Sequence, residues 1–334
     1  MLGIPRRRVP LAVAVEHAAK RFARPFIREV VAVAPGTKIV GGVDTGRPAV
    51  VFIVNKKSPV RGLRGQQLVS RPVPRRIKGW ETDVVEMGEF VAFGISPQQQ
   101  QARGYTGRYR PAPCGVSLGH PKVTAGTLGI YAFDRESGLT VAVTNNHVAA
   151  AENEARAGDP ILQPGSYDGG KAPNDVLGTL FRFVPIRFEP KAFWAHVLTA
   201  FGVLRPAWND CDAAAVRVEN DKVKRRILDQ HHYPVVGVEP RPYMAVAKTG
   251  RTTGYTEGTI QYVGAVVSVQ YSRGRSARFR NQIILSPIST GGDSGAAVTS
   301  SGGAALPALL FAGSDKATVA SPWRAVADAL RVRL

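Results

Sequence analysis

Apolar positions between residues 113 and 320 fall into short runs, at 127–133, 140–144, 176–183, 214–218, 259–269, 282–285, 296–299 and 308–312, with turn-forming residues between them. Strand-length runs punctuated in this way predict antiparallel strands, and a long series of them predicts paired β-barrels. The period changes at the C-terminal end. Pro322 suits a first helical turn, and Val326 and Leu330, with Ala329 beside them, form one apolar side, so a helix is expected to close the chain. The first third reads differently. Leu11, Val15, Ala18 and Phe22 share one face of a helix over 10–22, and strands are expected at 29–34, 38–42, 49–55 and 82–87. A basic, Pro-containing loop spans 58–79. The glutamine run 98–101 and the Gly/Arg/Pro-rich stretch up to Pro113 read as a linker. The expected organisation is a small basic α/β unit at 1–93, a linker at 94–112, and a mainly β domain with a C-terminal helix at 113–334.

Candidate chemistry sits at the strand ends. Thr290-Gly291-Gly292-Asp293-Ser294-Gly295 places a serine among glycines late in the chain. A serine hydroxyl attacks a carbonyl only with a base beside it and donors for the oxygen that becomes negative. A turn at this point can aim the backbone N–H groups of Gly292 and Ser294 at one spot as an oxyanion hole. The glycines allow backbone conformations that a Cβ forbids. Upstream, the apolar run 139–144 ends in Asn145-Asn146-His147, which sets a histidine at a strand mouth. Asn209-Asp210-Cys211-Asp212 precedes the small apolar run 213–216 in the same manner. Each residue alone is ordinary: a glycine-serine turn, a surface histidine, a capping acid. His, Asp and Ser in this order, each at a strand edge, form the constellation of nucleophilic hydrolysis.

These residues resemble those of the chymotrypsin-like serine peptidases. Lys248-Thr249-Gly250-Arg251-Thr252-Thr253-Gly254-Tyr255, followed by Gly258-Thr259-Ile260, is similar to the Gly-Arg-Thr-Thr-Gly stretch of alpha-lytic protease and the streptogrisins. The resemblance covers roughly 113–334 and implies two six-stranded antiparallel barrels with protein or peptide substrates. It also implies Ser294 as nucleophile, His147 as base and then acid, Asp212 as its orienting acid, and the Gly292 and Ser294 N–H groups as oxyanion donors. Asp212 is preferred to Asp210 because it directly precedes the small apolar strand. Asp293 is expected to be buried against a positive group that the sequence does not name. No cofactor or metal is implied. The chain departs from the bacterial relatives at Ala247 and Glu257, where they carry a disulfide, and in the 65-residue span between His147 and Asp212, where 192–198 looks like a helical insertion near the cleft.

The substrate pocket is expected beside Ile288, Ser289 and Thr290, and beside Phe311, Ala312, Gly313 and Ser314, a segment that can also offer a strand edge to an extended peptide. Trypsin-like enzymes hold an acid six residues before the serine. Ile288 stands there, so a buried Lys or Arg would lack its counter-charge and a small or medium uncharged side chain is expected instead.

Composition narrows the setting. An apolar content of 44% excludes a disordered chain, and no apolar run approaches the roughly 20 residues of a membrane helix. Only Cys114 and Cys211 are present, which favours free thiols in a reducing compartment. With Arg6-Arg7-Arg8 followed by an apolar run that Glu16-His17 breaks, a cytoplasmic location is expected. The net charge is +19. Residues 1–110 hold 20 Lys/Arg against 7 Asp/Glu, and the remainder 24 against 18, so the excess lies in the first third. That charge could draw an acidic partner or nucleic acid, without a recognised nucleic-acid motif. The alternative to a peptidase is therefore a catalytically silent barrel that binds a protein or nucleic acid through its basic N-terminal unit. That unit could equally assist folding, block the cleft or simply pack on the barrels. Other motifs fail on inspection. Lys38-Ile39-Val40-Gly41-Gly42 resembles a zymogen activation site but lies 108 residues before His147, and Gly165–Lys171 has phosphate-loop spacing with Ala172 where a hydroxyl is needed. His231-His232 lacks further ligands at metal spacing.

Overall fold

The computed structural model describes residues 9–22, 29–57, 73–92, 104–190 and 207–334. The 192–198 insertion, the Arg6–Arg8 triplet, the first part of the 58–79 loop and the glutamine run lie outside them. The chain is mostly β, as the alternating runs predict.

One sheet has six strands, in the order Pro160–Leu162, Val176–Phe183, Ala214–Val218, Thr140–Thr144, Ile130–Asp134 and Val332–Arg333. Thr140–Thr144 is buried along its whole length, and its β-branched residues suit that central place. It pairs antiparallel with Ala214–Val218, with Ala214 opposite Thr144. This register sets the residues just after Thr144 beside those just before Ala214. The last strand is delivered by the C-terminal helix, Trp323–Leu330. Val326 and Leu330 face inward as expected, but Ala327 completes the apolar side while Ala329 faces solvent.

The second sheet has ten strands. Six of them (Ala245–Gly250, Ala297–Ser300, Ala308–Gly313, Thr318–Pro322, Ser276–Leu285 and Gly254–Gln270) form a ring, because the first pairs both with the second and back onto the last. Val246, Ile260, Ile283, Leu285, Val298 and Leu310 pack inside it. The N-terminal strands continue this sheet outward. Val30–Val40 pairs with Gly254–Gln270 through Ala32–Val267 and Val33–Val266, then with Val43–Val54, which lies parallel to Trp80–Glu86. One face of this extension packs on the ring, where Ala32 and Ile53 share a core with Phe279 and Phe311. The other is covered by the helix Leu11–Phe22, which buries Ala14, Val15, Ala18, Ala19 and Phe22. The Phe22 ring meets Phe52 edge-on at 5.3 Å. Ile39 and Val40 reach the exposed tip of the first hairpin, beside the left-handed Gly41-Gly42 turn. Among the described residues no helix is long and apolar enough to cross a membrane.

Candidate active site

His147 stands in the short helical turn Asn146–Ala149 that follows the Thr140–Thr144 strand. Its Nδ1 lies 2.7 Å from Oδ2 of Asp212, which is wholly buried. A buried carboxylate is tolerable only when its oxygens are filled by donors. The Tyr271 hydroxyl donates to Oδ2 at 2.8 Å, the Asn146 N–H to Oδ1 at 2.7 Å, and the His147 N–H to Oδ1 at 3.4 Å. The Asn145 side chain donates to the Asp212 carbonyl at 2.7 Å and ties the two strand ends together. A carboxylate oxygen accepts, so the ring hydrogen on Nδ1 is assigned to the bond with Asp212. Nε2 is buried and has no hydrogen-bond partner among the described residues. Asp210, the other acid of the Asn209–Asp212 stretch, is exposed and pairs with Arg280 at 2.6 Å.

Ser294 lies on the turn between Ile288 and the Ala297–Ser300 strand. The turn packs on the strand pair that leads to His147. The Thr127 N–H donates to the Ser294 carbonyl at 2.8 Å, and Thr144 Oγ1 donates to the Thr127 carbonyl at 2.8 Å. Gly126 makes this approach possible. A Cβ there would fall 2.9 Å from the Ser294 oxygen and into the side chain of Val148, the neighbour of His147. Gly292 and Gly295 have φ of +96° and +94°, which few side chains would accept. The N–H groups of Gly292 and Ser294 donate to no acceptor among the described residues. Ser294 is itself wholly buried, and its hydroxyl donates to the Phe311 carbonyl at 3.4 Å, not to His147.

Asp293 anchors the turn. Its carboxylate takes the N–H groups of Thr252 (2.8 Å), Thr253 (3.1 Å) and Thr290 (3.1 Å) and the Thr253 hydroxyl (2.7 Å). The positive group that the sequence leaves open is Lys248, whose Nζ is 3.3 Å away with both side chains wholly buried. Burial pulls the Lys248 ammonium below its ordinary range, and the Asp293 charge opposes the shift. The adjoining Arg251, also wholly buried, is held by Asp168, with Nε 2.8 Å from Oδ2. The phosphate-loop look-alike at Gly165–Lys171 thus supplies a structural counter-ion.

A cleft of about 530 Å³ opens before His147, lined among others by Val91, Ala92, Val148, Tyr271, Glu152 and Arg275. The residues expected at a substrate pocket are not among those lining this cleft. Ile288 packs inside the ring, and Phe311 and Ala312 lie in the core beneath it. The Ser289 hydroxyl meets Thr318 Oγ1 at 2.8 Å, and the Thr290 N–H is held by Asp293. Gly313 pairs with Val91, and the Ser314 hydroxyl donates to the Met87 carbonyl.

Sequence reasoning missed Lys248 and Tyr271. A charged residue after Ala245-Val246-Ala247 is a usable mark of a buried partner. A tyrosine ending an alternating run marks nothing, because its partner Asp212 is 59 residues away. Burial foremost, then the Asp212 charge and the hydrogen bond to it, push the Tyr271 hydroxyl well above its usual pKa of 10.0. The folded chain therefore keeps this proton where an unfolded tyrosine has lost it. Tyr271's contribution is full below pH 10 and is lost as the pH rises beyond it. Denaturant midpoints at pH 9 and 11 should consequently fall less in Tyr271→Phe than in wild type; an equal fall would refute the assignment.

No protein-family model matches the chain, and no curated protein matches it. Solved structures do. A glutamic acid specific serine protease described as using a histidine triad in substrate binding is 19% identical, over 66% of this chain and 98% of its own, with a TM-score of 0.44. Protease A of Thermobifida fusca is 15% identical over 67% of this chain and 98% of its own, at 0.44. An alpha-lytic protease homolog, N4, is 18% identical over 66% and 98%, at 0.43. At these values the reading of His147, Asp212 and Ser294 rests on the geometry of this chain alone. Each of these serine proteases aligns over about two-thirds of this chain.

Proposed function

We propose that this chain is a serine endopeptidase that cleaves protein substrates through an acyl-enzyme on Ser294. One observation carries the reading: the 2.7 Å bond from His147 to the wholly buried Asp212, with Nε2 left without a partner among the described residues. The Ser294 side chain turns from the Phe311 carbonyl to His147, and Nε2 takes its proton as Oγ attacks the substrate carbonyl. Asp212 stabilises the imidazolium. The N–H groups of Gly292 and Ser294 hold the oxyanion, a contribution of about 3–4 kcal/mol for each such donor in comparable sites. His147 returns the proton to the leaving amine. It then takes one from the water that frees the acid and regenerates Ser294. No cofactor enters these steps. With no acid six residues before Ser294 to pair with a cation, the side chain before the cut is read as small or medium and uncharged, and the free, buried Cys114 and Cys211 support a reducing compartment.

Tyr271 is a positioning residue in this reading, since it holds Asp212 from the far side. Tyr271→Phe should lower kcat about tenfold with little change in KM, as expected for one lost hydrogen bond to a charge. A selective fall in KM would remove it from this role. A fluorophosphonate probe tests the function itself. Labelling that Ser294→Ala and His147→Ala both abolish is the expected result. No labelling even after Val91→Pro, the substitution argued below to open the site, would refute it.

A second reading has its own observation. A cleft of about 510 Å³ between the N-terminal helix and the sheet edge is lined by His17, Arg21, Arg76 and Lys78 together with Phe22, Pro74 and Ile77. The neighbouring cations, after burial, hold the His17 pKa down. Such a surface suits an acidic protein or a nucleic-acid backbone. Mobility-shift affinity for a DNA duplex should fall steeply with salt, and Arg76→Ala with Lys78→Ala should flatten the slope by about two phosphate contacts. A flat salt response would remove nucleic acid.

A further inference from the structure

Main-chain groups along one edge of the Ala308–Gly313 strand are shared between two partners. The first is the Ser294 turn: the Gly295 N–H donates to the Leu310 carbonyl at 2.9 Å, and the Leu310 N–H to Ala296 at 3.0 Å. The Phe311 carbonyl then receives the Ser294 hydroxyl. Beyond it the second partner takes over. The Val91 N–H donates to the Gly313 carbonyl at 2.9 Å, and the Gly313 N–H to the Val91 carbonyl at 3.1 Å, an antiparallel pair. On its other side the same segment is held by Gln270: the Ala92 N–H donates to the Gln270 carbonyl, and the Gln270 N–H to Phe90, both at 2.9 Å. Residues 90–92 thus form a short strand laid between Gly313 and the end of the Gly254–Gln270 strand.

The direction of this strand matters. Because the Val91–Gly313 pair is antiparallel, the step from Val91 to Ala92 points along the edge in the direction of Phe311. Val91 and Ala92 also line the cleft that holds His147. Extended peptides bind sheet edges with these alternating main-chain bonds. We propose that Val91 and Ala92 occupy, in cis, the edge at which an extended substrate would pair, so that the chain carries its own competing ligand. This inference rests on the peptidase reading. It also fits the complete burial of Ser294 and its bond to Phe311 in this conformation.

The segment is anchored from behind. Phe90 is wholly buried in the core that contains Phe279 and Phe311, and the Met87 carbonyl takes the Ser314 hydroxyl. Gly88, at φ +72°, lets the backbone pass where a Cβ would meet Asp315 at 3.0 Å and Ser314 at 3.2 Å. Glu86 pairs with Lys316 on the surface. A tethered ligand acts at an effective concentration of about millimolar, so a free substrate must displace it. An extended, apolar stretch such as Phe90-Val91-Ala92 is the class of peptide the edge accepts.

Hydrogen exchange and probe labelling test this together. In the full-length Ser294→Ala chain the Gly313 amide should be protected, and adding Val91→Pro, which deletes one donor, should raise its exchange about tenfold. With Ser294 in place, Val91→Pro should raise the fluorophosphonate labelling rate about tenfold. Lys316→Glu, a surface change that breaks the ion pair with Glu86, should move both readouts the same way by a smaller factor. A Gly313 amide as open before substitution as after it overturns the proposal. So does faster exchange without faster labelling in a chain that does label. Faster exchange with no labelling in any chain supports the docking and overturns the peptidase reading instead. Where Val91→Pro does not fold, Lys316→Glu decides, and unchanged exchange and labelling overturn the proposal.

Discussion

Ser294→Ala, introduced into a chain opened by Val91→Pro, should lower hydrolysis of a chromogenic peptide by roughly 10⁶-fold, and His147→Ala by about as much. In the proposed reaction the two groups act as a unit. Without the hydroxyl there is nothing for Nε2 to deprotonate, and without Nε2 the hydroxyl stays protonated and weak. The double variant should therefore be no slower than either single one. Asp212→Asn should lose less, about 10⁴-fold, by reversing the ring tautomer while the geometry persists, as in the well-studied triad enzymes. Losses that multiply in the double variant, or a Ser294→Ala loss below about 100-fold, would show that Ser294 and His147 do not share one proton transfer. Steady-state rates of the four purified chains decide it.

The largest effect on stability is expected at Asp293. Asp293→Ala would leave Lys248 charged and wholly buried without its counter-ion. It would also strip the acceptor from the N–H groups of Thr252, Thr253 and Thr290. Breaking one side of a buried pair costs about 3–5 kcal/mol, and each stranded donor adds its own desolvation penalty of about 1–3 kcal/mol. The expected loss is at least about 4 kcal/mol in urea unfolding, a large share of a typical domain's stability. Lys248→Met, which keeps much of the volume and leaves Asp293 its four other donors, should cost distinctly less. The asymmetry is the informative part, because an isolated ion pair would give two similar losses. An Asp293→Ala cost below about 1 kcal/mol would mean that the carboxylate does not hold the turn.

Much of the candidate site was legible in the chain because its residues sit at element ends that local pattern marks. The apolar run 139–144 leads into His147, and the small apolar run 213–216 follows Asp212. Once these strands pair with Ala214 opposite Thr144, their two mouths coincide. The backbone of the Ser294 turn was legible for a similar reason: left-handed positions demand glycine, and Gly292 and Gly295 occupy them. Asp210 and Asp212 stand two residues apart just before the Ala214–Val218 strand, and the path of the chain into that strand leaves Asp210 at the surface with Arg280 and brings Asp212 to His147 in the core.

By itself the sequence determined which segments become strands, where the final helix lies, and which three side chains stand at strand mouths. These follow from periodicity and from the backbone needs of glycine. Tertiary structure alone decided who meets whom. It set Lys248 under Asp293, Tyr271 behind Asp212, and Ala327 rather than Ala329 against the core. It also joined Val30–Val40 to Gly254–Gln270 and seated Val91 on Gly313, more than 200 residues away in each case. The physical reason is that alternation records which face of a strand is buried, while the main-chain groups at its edges are the same for every sequence. The partner of a free edge is chosen by packing and chain connection, which no local pattern encodes.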